Sequence, residues 1–391
     1  MSPRRVLFVD YYAFVGGGQQ NLLNVFAAMD RRRYTPLLAI PQEGAFADAA
    51  RALKVPVFIV PMAKARWRLW WQAFPAMRRL RALMREQQVD LVHANDFPSL
   101  KLAVVAARGL GLPTVYHQQI AVTQKPGSTT GWLMRWHLRH VDKVLAVSQN
   151  SLRALEMLGV APQRLRLIYN NADTVALGRA KPLGAAQLKA LGVPPKRPLV
   201  LAAGMRRPHK GFDVLLRGLA KYYAGPAAKL PMAKRPYAVL LGDVAHAEAA
   251  HEALLQALAQ DPVLKGNLSV LPAQRPLAPW LKRATVFVSS SRWEGSPLVV
   301  LEAMAAACCV LATHQGAGEV VQDRRDGLLV PSEHPQDLAD RLRELMQDDT
   351  SLRKRLAAQG RKTTLRSFSL KAYVSSLAGL YDDLLQAHHG L

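Results

Sequence analysis

The residues best equipped to do chemistry lie in one run, Ser289-Ser-Ser-Arg-Trp-Glu-Gly-Ser-Pro-Leu-Val-Val-Leu-Glu-Ala-Met304. A buried strand is expected to end near Ser289, and Ser296-Pro297 is a helix-start signal, because serine caps free amides and proline suits a first turn. A helix that begins at a strand's C-terminal edge offers unpaired N–H groups, here those of Gly295, Ser296, Leu298 and Val299, and partial positive charge to a phosphate. Glu294 lies just before this helix and Glu302 about two turns into it, so the two carboxylates can address opposite ends of an elongated ligand. Taken singly, each reads as well as an ordinary surface glutamate.

The stretch Leu199 to Ala220 comes next: an apolar strand, a glycine-opened loop carrying Arg206, Arg207, His209 and Lys210, then an amphipathic helix. Positive charge packed at a strand end is what a departing diphosphate requires, although a solvated basic loop has the same composition. Gly16-Gly17-Gly18 follows the first apolar run and lets backbone amides approach a ligand. It is not the spaced dinucleotide fingerprint, since Gln19-Gln20 stands where the third glycine would be. His117 follows Pro113-Thr-Val-Tyr116 at another strand end, from which its side chain would point into a cleft; a packed histidine is the competing reading, and His93 leans further that way. His246 and His251, five apart on a helix, do not share a face for a metal. No Asp-x-Asp occurs, which removes the usual mark of a divalent-metal sugar-nucleotide site. No metal and no cofactor are expected.

These residues must be positioned by a regular frame. Apolar runs at 6–9, 35–40, 57–60, 91–93, 114–116, 143–147 and 165–169 alternate with helix-like stretches, and a second series runs through 199–203, 238–241, 268–271, 285–289, 310–313 and 327–330. Strands alternating with helices imply α/β architecture with parallel sheets covered on both faces. A chain of 391 residues accommodates two such domains. Gly192-Val-Pro-Pro-Lys-Arg-Pro198 interrupts the pattern and favours an extended connector. The expected division is residues 1–175, a linker at 176–197, a second domain at 198–366 and a closing helical segment at 367–391.

Together these stretches resemble the group 1 (family 4) retaining glycosyltransferases, over nearly the whole chain. The resemblance implies the GT-B fold, two Rossmann-like doubly wound parallel-sheet domains facing across a cleft, with residues 367–391 crossing back onto the first. In that family two glutamates are separated by seven residues, as Glu294 and Glu302 are here inside EGSPLVVLEAMAA. By resemblance Glu294 positions hydroxyls of the donor sugar and Glu302 holds the ribose. Lys210 matches the diphosphate-binding lysine of the family's Gly-Arg-x-x-x-x-Lys-Gly loop. Met205 occupies the arginine position, with Arg206 the favoured replacement and Arg207 the alternative. Gly17-Gly18 matches the phosphate-facing glycine pair, and His117 the active-site histidine. Asn170-Asn-Ala-Asp173 is similar to the family's Asn-Gly-Val-Asp, with Asn171, a residue tolerant of the left-handed conformation, in glycine's place. Ala307 and Cys309 stand where glycine and proline are usual.

What the resemblance implies is transfer of a sugar from a nucleotide-diphosphate donor to a lipid-linked or polysaccharide acceptor in lipopolysaccharide, capsule or related envelope-glycan synthesis. Diphosphate held by Arg206, Lys210 and helix amides would leave on the face that the acceptor attacks, after closure over Gly17-Gly18 and His117. The formal charge of +24, from 52 basic and 28 acidic residues, suits phosphates of any kind. Trp67, Trp70, Trp71 and Phe74 share a helical face among basic residues, and Trp132, Arg135, Trp136 and Arg139 form a second such patch. Both suit an anionic membrane surface, unless the aromatics are core. The N-terminus lacks a signal-peptide core and no run is long enough to span a bilayer, so the expected location is the cytoplasm, peripheral to the inner face of the membrane. Two adjacent cysteines, Cys308 and Cys309, read as buried thiols. A basic nucleic-acid-binding protein is the alternative from charge, with no nucleic-acid motif to support it. A GT-B sugar-nucleotide epimerase or an inactive homologue is the alternative within the fold.

Overall fold

The computed structural model describes residues 2–62, 73–119, 122, 127–243, 248–346 and 350–389. The chain divides into two compact units, residues 1–170 with 370–391 and residues 171–369.

In unit 1, seven strands alternate with helices: β1 (Arg4–Val9), α1 (Gly17–Ala28), β2 (Tyr34–Ile40), α2 (Ala45–Ala52), β3 (Val57–Ile59), α3 (Phe74–Glu86), β4 (Leu91–Ala94), α4 (Phe97–Arg108), β5 (Thr114–Gln118), α5 (Thr129–Leu138), β6 (Lys143–Ala146), α6 (Gln149–Met157) and β7 (Leu165–Leu167). They form a parallel sheet in the order β3-β2-β1-β4-β5-β6-β7, whose direction of growth reverses between β1 and β4. Successive strand side chains leave on opposite faces, and the core shows it. Leu7, Val9, Val92, Tyr116 and Val144 pack beneath Leu80, Leu100 and Leu155. Val6, Phe8, Leu91, Val115 and Leu145 pack on the other face with Leu22 and Phe26 of α1. Tyr373, Leu377 and Tyr381 of the last helix complete that second face.

In unit 2, α7 (Thr174–Arg179) and α8 (Ala185–Ala190) precede β8 (Leu199–Met205), α9 (Phe212–Ala224), β9 (Tyr237–Asp243), α10 (Ala249–Ala259), β10 (Leu268–Pro272), α11 (Ala278–Arg283), β11 (Val286–Ser289), α12 (Leu298–Ala305), β12 (Cys309–Thr313), α13 (His314–Ala317), β13 (Leu328–Val330), α14 (Pro335–Met346) and α15 (Ser351–Ser367). The parallel order is β10-β9-β8-β11-β12-β13, reversing between β8 and β11. The long α16 (Leu370–His389) belongs to unit 1.

Two local expectations are corrected. Residues 176–197 belong to unit 2 and do not form a separate linker: α7 and α8 bury Leu177 and Leu188, and Arg283 Nη2 donates to the Pro195 carbonyl at 2.6 Å, while the stretch 192–198 itself carries no helix or strand. Asn171 is buried and does not take a left-handed φ. Ala307 does, at φ +59°, where the Cys308 amide donates to Ala303 and the Ala307 amide to Met304 to close α12, the pattern that normally selects glycine. Cys308 and Cys309 are free and buried, and burial pushes the Cys309 thiol up to about 12.

Candidate functional site

The reversal point of the second sheet brings the β8–α9 loop against the β11–α12 loop. Gly211 starts α9 with φ +62°, and a Cβ there would lie 2.1 Å from the Ser290 carbonyl oxygen, so only glycine permits this approach. The loops are stitched at several points. The Arg292 amide donates to the His209 carbonyl at 2.7 Å, Ser290 Oγ donates to the Lys210 carbonyl at 3.1 Å, and Arg292 Nη1 donates to the Pro208 carbonyl. The Arg292 guanidinium also grips both oxygens of Asp213 at 2.9 Å and pairs with Glu333. Burial raises the Asp213 carboxyl, but the bonds and charge of Arg292 outweigh it and hold the group below its ordinary value.

On this frame Lys210 Nζ donates to Glu294 Oε1 at 2.5 Å, with side chains 19% and 13% exposed. Ser291 Oγ donates to the same oxygen at 2.7 Å, so Glu294 Oε2 is left to accept from a ligand. His209 and Trp293, the chain neighbours of that pair, stack with ring centroids 4.6 Å apart and planes at 21°. Burial and the Lys210 charge lower the His209 pKa, keeping the imidazole neutral near pH 7.

At the start of α12 the cap is Pro297, without a side-chain bond, and Ser296 Oγ is buried without a partner. The expected serine cap is therefore corrected: proline at the cap turns the chain so that the Ser296 carbonyl accepts from the Leu298 amide at 3.0 Å. The amides of Gly295, Ser296 and Val299 have no partner among the described residues. Glu302 is the fifth residue of α12, one turn in rather than two. Burial pushes its carboxyl up to about 7, with the charge of Arg275 opposing.

Arg206 is committed elsewhere. Its Nη1 donates to Glu252 Oε1 of α10 at 2.7 Å, and its stem crosses Gly242, where a Cβ would come within 2.6 Å of Nε. Arg207 Nε is buried and unpartnered. The favoured choice of Arg206 as a phosphate ligand is thus at odds with a mostly buried ion pair to a residue 46 positions away, and Arg207 carries the uncommitted group.

In unit 1, Gly17 and Gly18 open α1, and Gly18 faces Gln119 and Asn95 closely enough that a Cβ would touch both. His117 departs from expectation: β5 continues to Gln118, so the ring lies inside the strand and is fully buried. Its Nδ1 meets Gln119 Nε2 at 3.1 Å, its ring stacks on Tyr373 at 6.4 Å, and burial pushes its pKa down to about 3. His93 is likewise buried, with Nδ1 2.7 Å from the Tyr381 hydroxyl. Sequence reasoning passed over Asp10, Asn95 and Asp96, although polar residues directly after β1 and β4 mark the reversal point. Asp10 accepts from Asn95 Nδ2 at 2.7 Å and from Gln19 Nε2, while Asp96 accepts from the Tyr11 and Ser99 amides at 2.7 Å. Burial raises both carboxyls, Asp96 further by the charge of Asp10. Arg292, Trp293 and Arg275 were also passed over, since nothing in their spacing announces a role.

The patch at Trp67, Trp70 and Trp71 lies outside the described residues; of its face, Phe74 is exposed. Trp132, Arg135, Trp136 and Arg139 of α5 and its cap are all exposed. His246 is outside the described residues, and among those described no three His, Cys, Asp or Glu side chains are grouped to hold a metal. No described helix is long and apolar enough to cross a membrane.

Two Rossmann-like parallel-sheet units, the second presenting a lysine–glutamate pair beside open helix amides, define the GT-B class of fold. The family model described as Glycosyl transferases group 1 matches residues 197–348, and that of Glycosyltransferase Family 4 matches residues 15–175; the chain belongs to the group 1 (family 4) glycosyltransferases. It is 32% identical over 290 residues to a D-inositol 3-phosphate glycosyltransferase of Nocardioides sp., an alignment covering 69% of this chain and 62% of that protein. It is 26% identical over 264 residues to the lipopolysaccharide core biosynthesis mannosyltransferase LpsB of Rhizobium meliloti, covering 66% and 70%. Among solved structures, Anabaena Alr3699/HepE in complex with UDP-glucose superposes with a TM-score of 0.82 at 22% identity, covering 97% of this chain and all of that one. WaaG, a glycosyltransferase involved in lipopolysaccharide biosynthesis, superposes with a TM-score of 0.70 at 15% identity, covering 96% and 99%. At these identities the two structures speak to fold alone.

Proposed function

We propose that this protein is a retaining glycosyltransferase that moves a sugar from a nucleotide-diphosphate sugar to a lipid-linked or glycan acceptor of the cell envelope. The observation that carries the reading is the meeting of Lys210, Glu294 and the open amides of Gly295, Ser296 and Val299 at one sheet reversal. Lysine and helix amides neutralise diphosphate oxygens, the Glu294 oxygen accepts from sugar hydroxyls, and Glu302 accepts from the ribose. Arg207 supplies the second cation, while Arg206 acts as a strut.

In the transfer step the bond from anomeric carbon to diphosphate oxygen breaks and the acceptor oxygen attacks the same face. The acceptor proton passes to the departing diphosphate, and Lys210 with the amides stabilises the charge that develops there. The relatives in lipopolysaccharide core and inositol phosphate glycosylation support a phosphorylated or lipid-linked acceptor. The exposed Trp132 and Trp136 beside Arg135 and Arg139 support docking on an anionic membrane surface. The test is transfer from UDP-glucose and GDP-mannose to a bacterial envelope-lipid extract. Nucleoside diphosphate release with an α-linked product supports the reading, and a β-linked product contradicts retention.

A further inference from the structure

Trp293 stands apart from the other aromatic side chains of unit 2. It is 43% exposed, whereas every other Phe, Tyr and Trp there is at most 8% exposed. Its indole is held by the stack on His209, so one ring face is covered while much of the rest meets water. Its neighbours cannot release it: Arg292 is fixed by Asp213, Glu333 and the Pro208 carbonyl, and Glu294 by Lys210 and Ser291. A large apolar ring kept rigid in water gains nothing for the free protein, and such a ring loses little further freedom when a ligand covers it. Aromatic residues in this state are what recognition sites use as anchors.

Its position selects the ligand. The next residue, Glu294, presents a carboxylate oxygen that only accepts, matched to hydroxyl groups, and the indole offers a flat electron-rich face. A pyranose ring has both partners: hydroxyls around its edge and polarised C–H bonds on its face. We propose that Trp293, braced by His209, is the platform on which a pyranose ring lies, with Glu294 reading the hydroxyls at its edge. The inference rests on the nucleotide-sugar reading of Lys210 and Glu294. The ring belongs either to the transferred sugar or to the acceptor, and the two are separable by experiment.

The full-length protein and its Trp293→Ala, Trp293→Phe and His209→Ala variants are titrated calorimetrically with UDP, GDP, UDP-glucose and GDP-mannose. Methyl α-glucoside and methyl α-mannoside are then added to protein saturated with the nucleoside diphosphate that binds. If the platform holds the transferred sugar, Trp293→Ala binds the bare nucleotide within twofold of wild type but its sugar form at least tenfold more weakly. If it holds the acceptor ring, both nucleotide affinities are kept and binding of the methyl glycoside is lost. In either case Trp293→Phe retains most of the affinity, because the flat face remains, and His209→Ala falls between. Wild-type binding of sugar nucleotide and glycoside by Trp293→Ala overturns the platform and leaves the diphosphate cradle standing. Absence of nucleotide binding by the wild type overturns both.

Discussion

Replacing Glu294 by Gln should tighten binding of a bare nucleoside diphosphate, while replacing Lys210 by Met should weaken it. The opposite signs follow from the single bond between them, Lys210 Nζ to Glu294 Oε1 at 2.5 Å with both side chains largely buried. A diphosphate must compete with that carboxylate for the ammonium and also bear its negative charge nearby. Two like charges at an effective dielectric of 20 repel by about 4 kcal/mol at 4 Å; with a gap of two or more bond lengths beyond that, and with water at the rim, about 1 kcal/mol remains, or roughly fivefold in Kd. Glutamine keeps the Ser291 Oγ contact because its amide oxygen still accepts, so the loop stays in place. Lys210→Met instead deletes a charge-assisted bond worth about 1.5–3 kcal/mol and leaves Glu294 facing the ligand, a loss of roughly 10- to 150-fold or more. Isothermal titration with UDP and GDP reads both. The sugar nucleotide should respond the other way to Glu294→Gln, losing affinity relative to the bare nucleotide, because the acceptor for sugar hydroxyls is weakened. If Glu294→Gln lowers affinity for the bare nucleotide as much as Lys210→Met does, the pair is a structural bridge and the reasoning fails.

Arg206→Met should lower the melting temperature, since the mostly buried Glu252 is left without its charge partner, and should leave nucleotide affinity near wild type; Arg207→Met should do the reverse, weakening nucleotide about tenfold. Equal affinity losses in the two variants would remove the distinction. Ala307→Gly should stabilise the protein by about 0.5–1 kcal/mol, the relief of a left-handed alanine less the added freedom of the unfolded chain, seen as a higher midpoint in urea. Glu302 adds a pH dependence. Its carboxyl is raised to about 7 from 4.5 by burial, so its contribution to stability is complete below the unfolded value and lost as pH rises through 7, of order 3 kcal/mol in all. Glu302→Gln should flatten that slope. Because ribose hydroxyls favour the ionised form, wild-type nucleotide affinity should rise up to about tenfold from pH 6 to 8, and Glu302→Gln should bind weakly at every pH. Wild-type turnover in that variant would refute its role.

The frame was legible because buried parallel strands read as continuous apolar runs, so both sheets were placed with ends shifted by one or two residues. The shift mattered once: extending β5 by two residues turned His117 from a strand-end side chain into a buried one. Lys210 and Glu294 were legible as separate motifs, while their contact depends on Gly211 lying against Ser290, a close approach across 79 residues. Arg206 could not be settled from the sequence, since nothing there says that its side chain crosses Gly242 to reach Glu252. Residues 176–197 were not legible as part of unit 2, because nothing in their pattern announces the burial of Leu177 and Leu188. Asp10 and Asp96 were missed because each is a lone carboxylate until the sheet sets their strands side by side.

The most direct measurement is the thermal midpoint of the full-length protein with UDP, GDP, ADP, CDP or dTDP, compared with Lys210→Met. A ligand at about 100 times its Kd adds about 2.7 kcal/mol to the state that binds it, or roughly 5–10 °C for a domain of this size. The account predicts such a rise for at least one nucleoside diphosphate and its loss in the variant. No rise with any of the five, or a full rise in Lys210→Met, would contradict it.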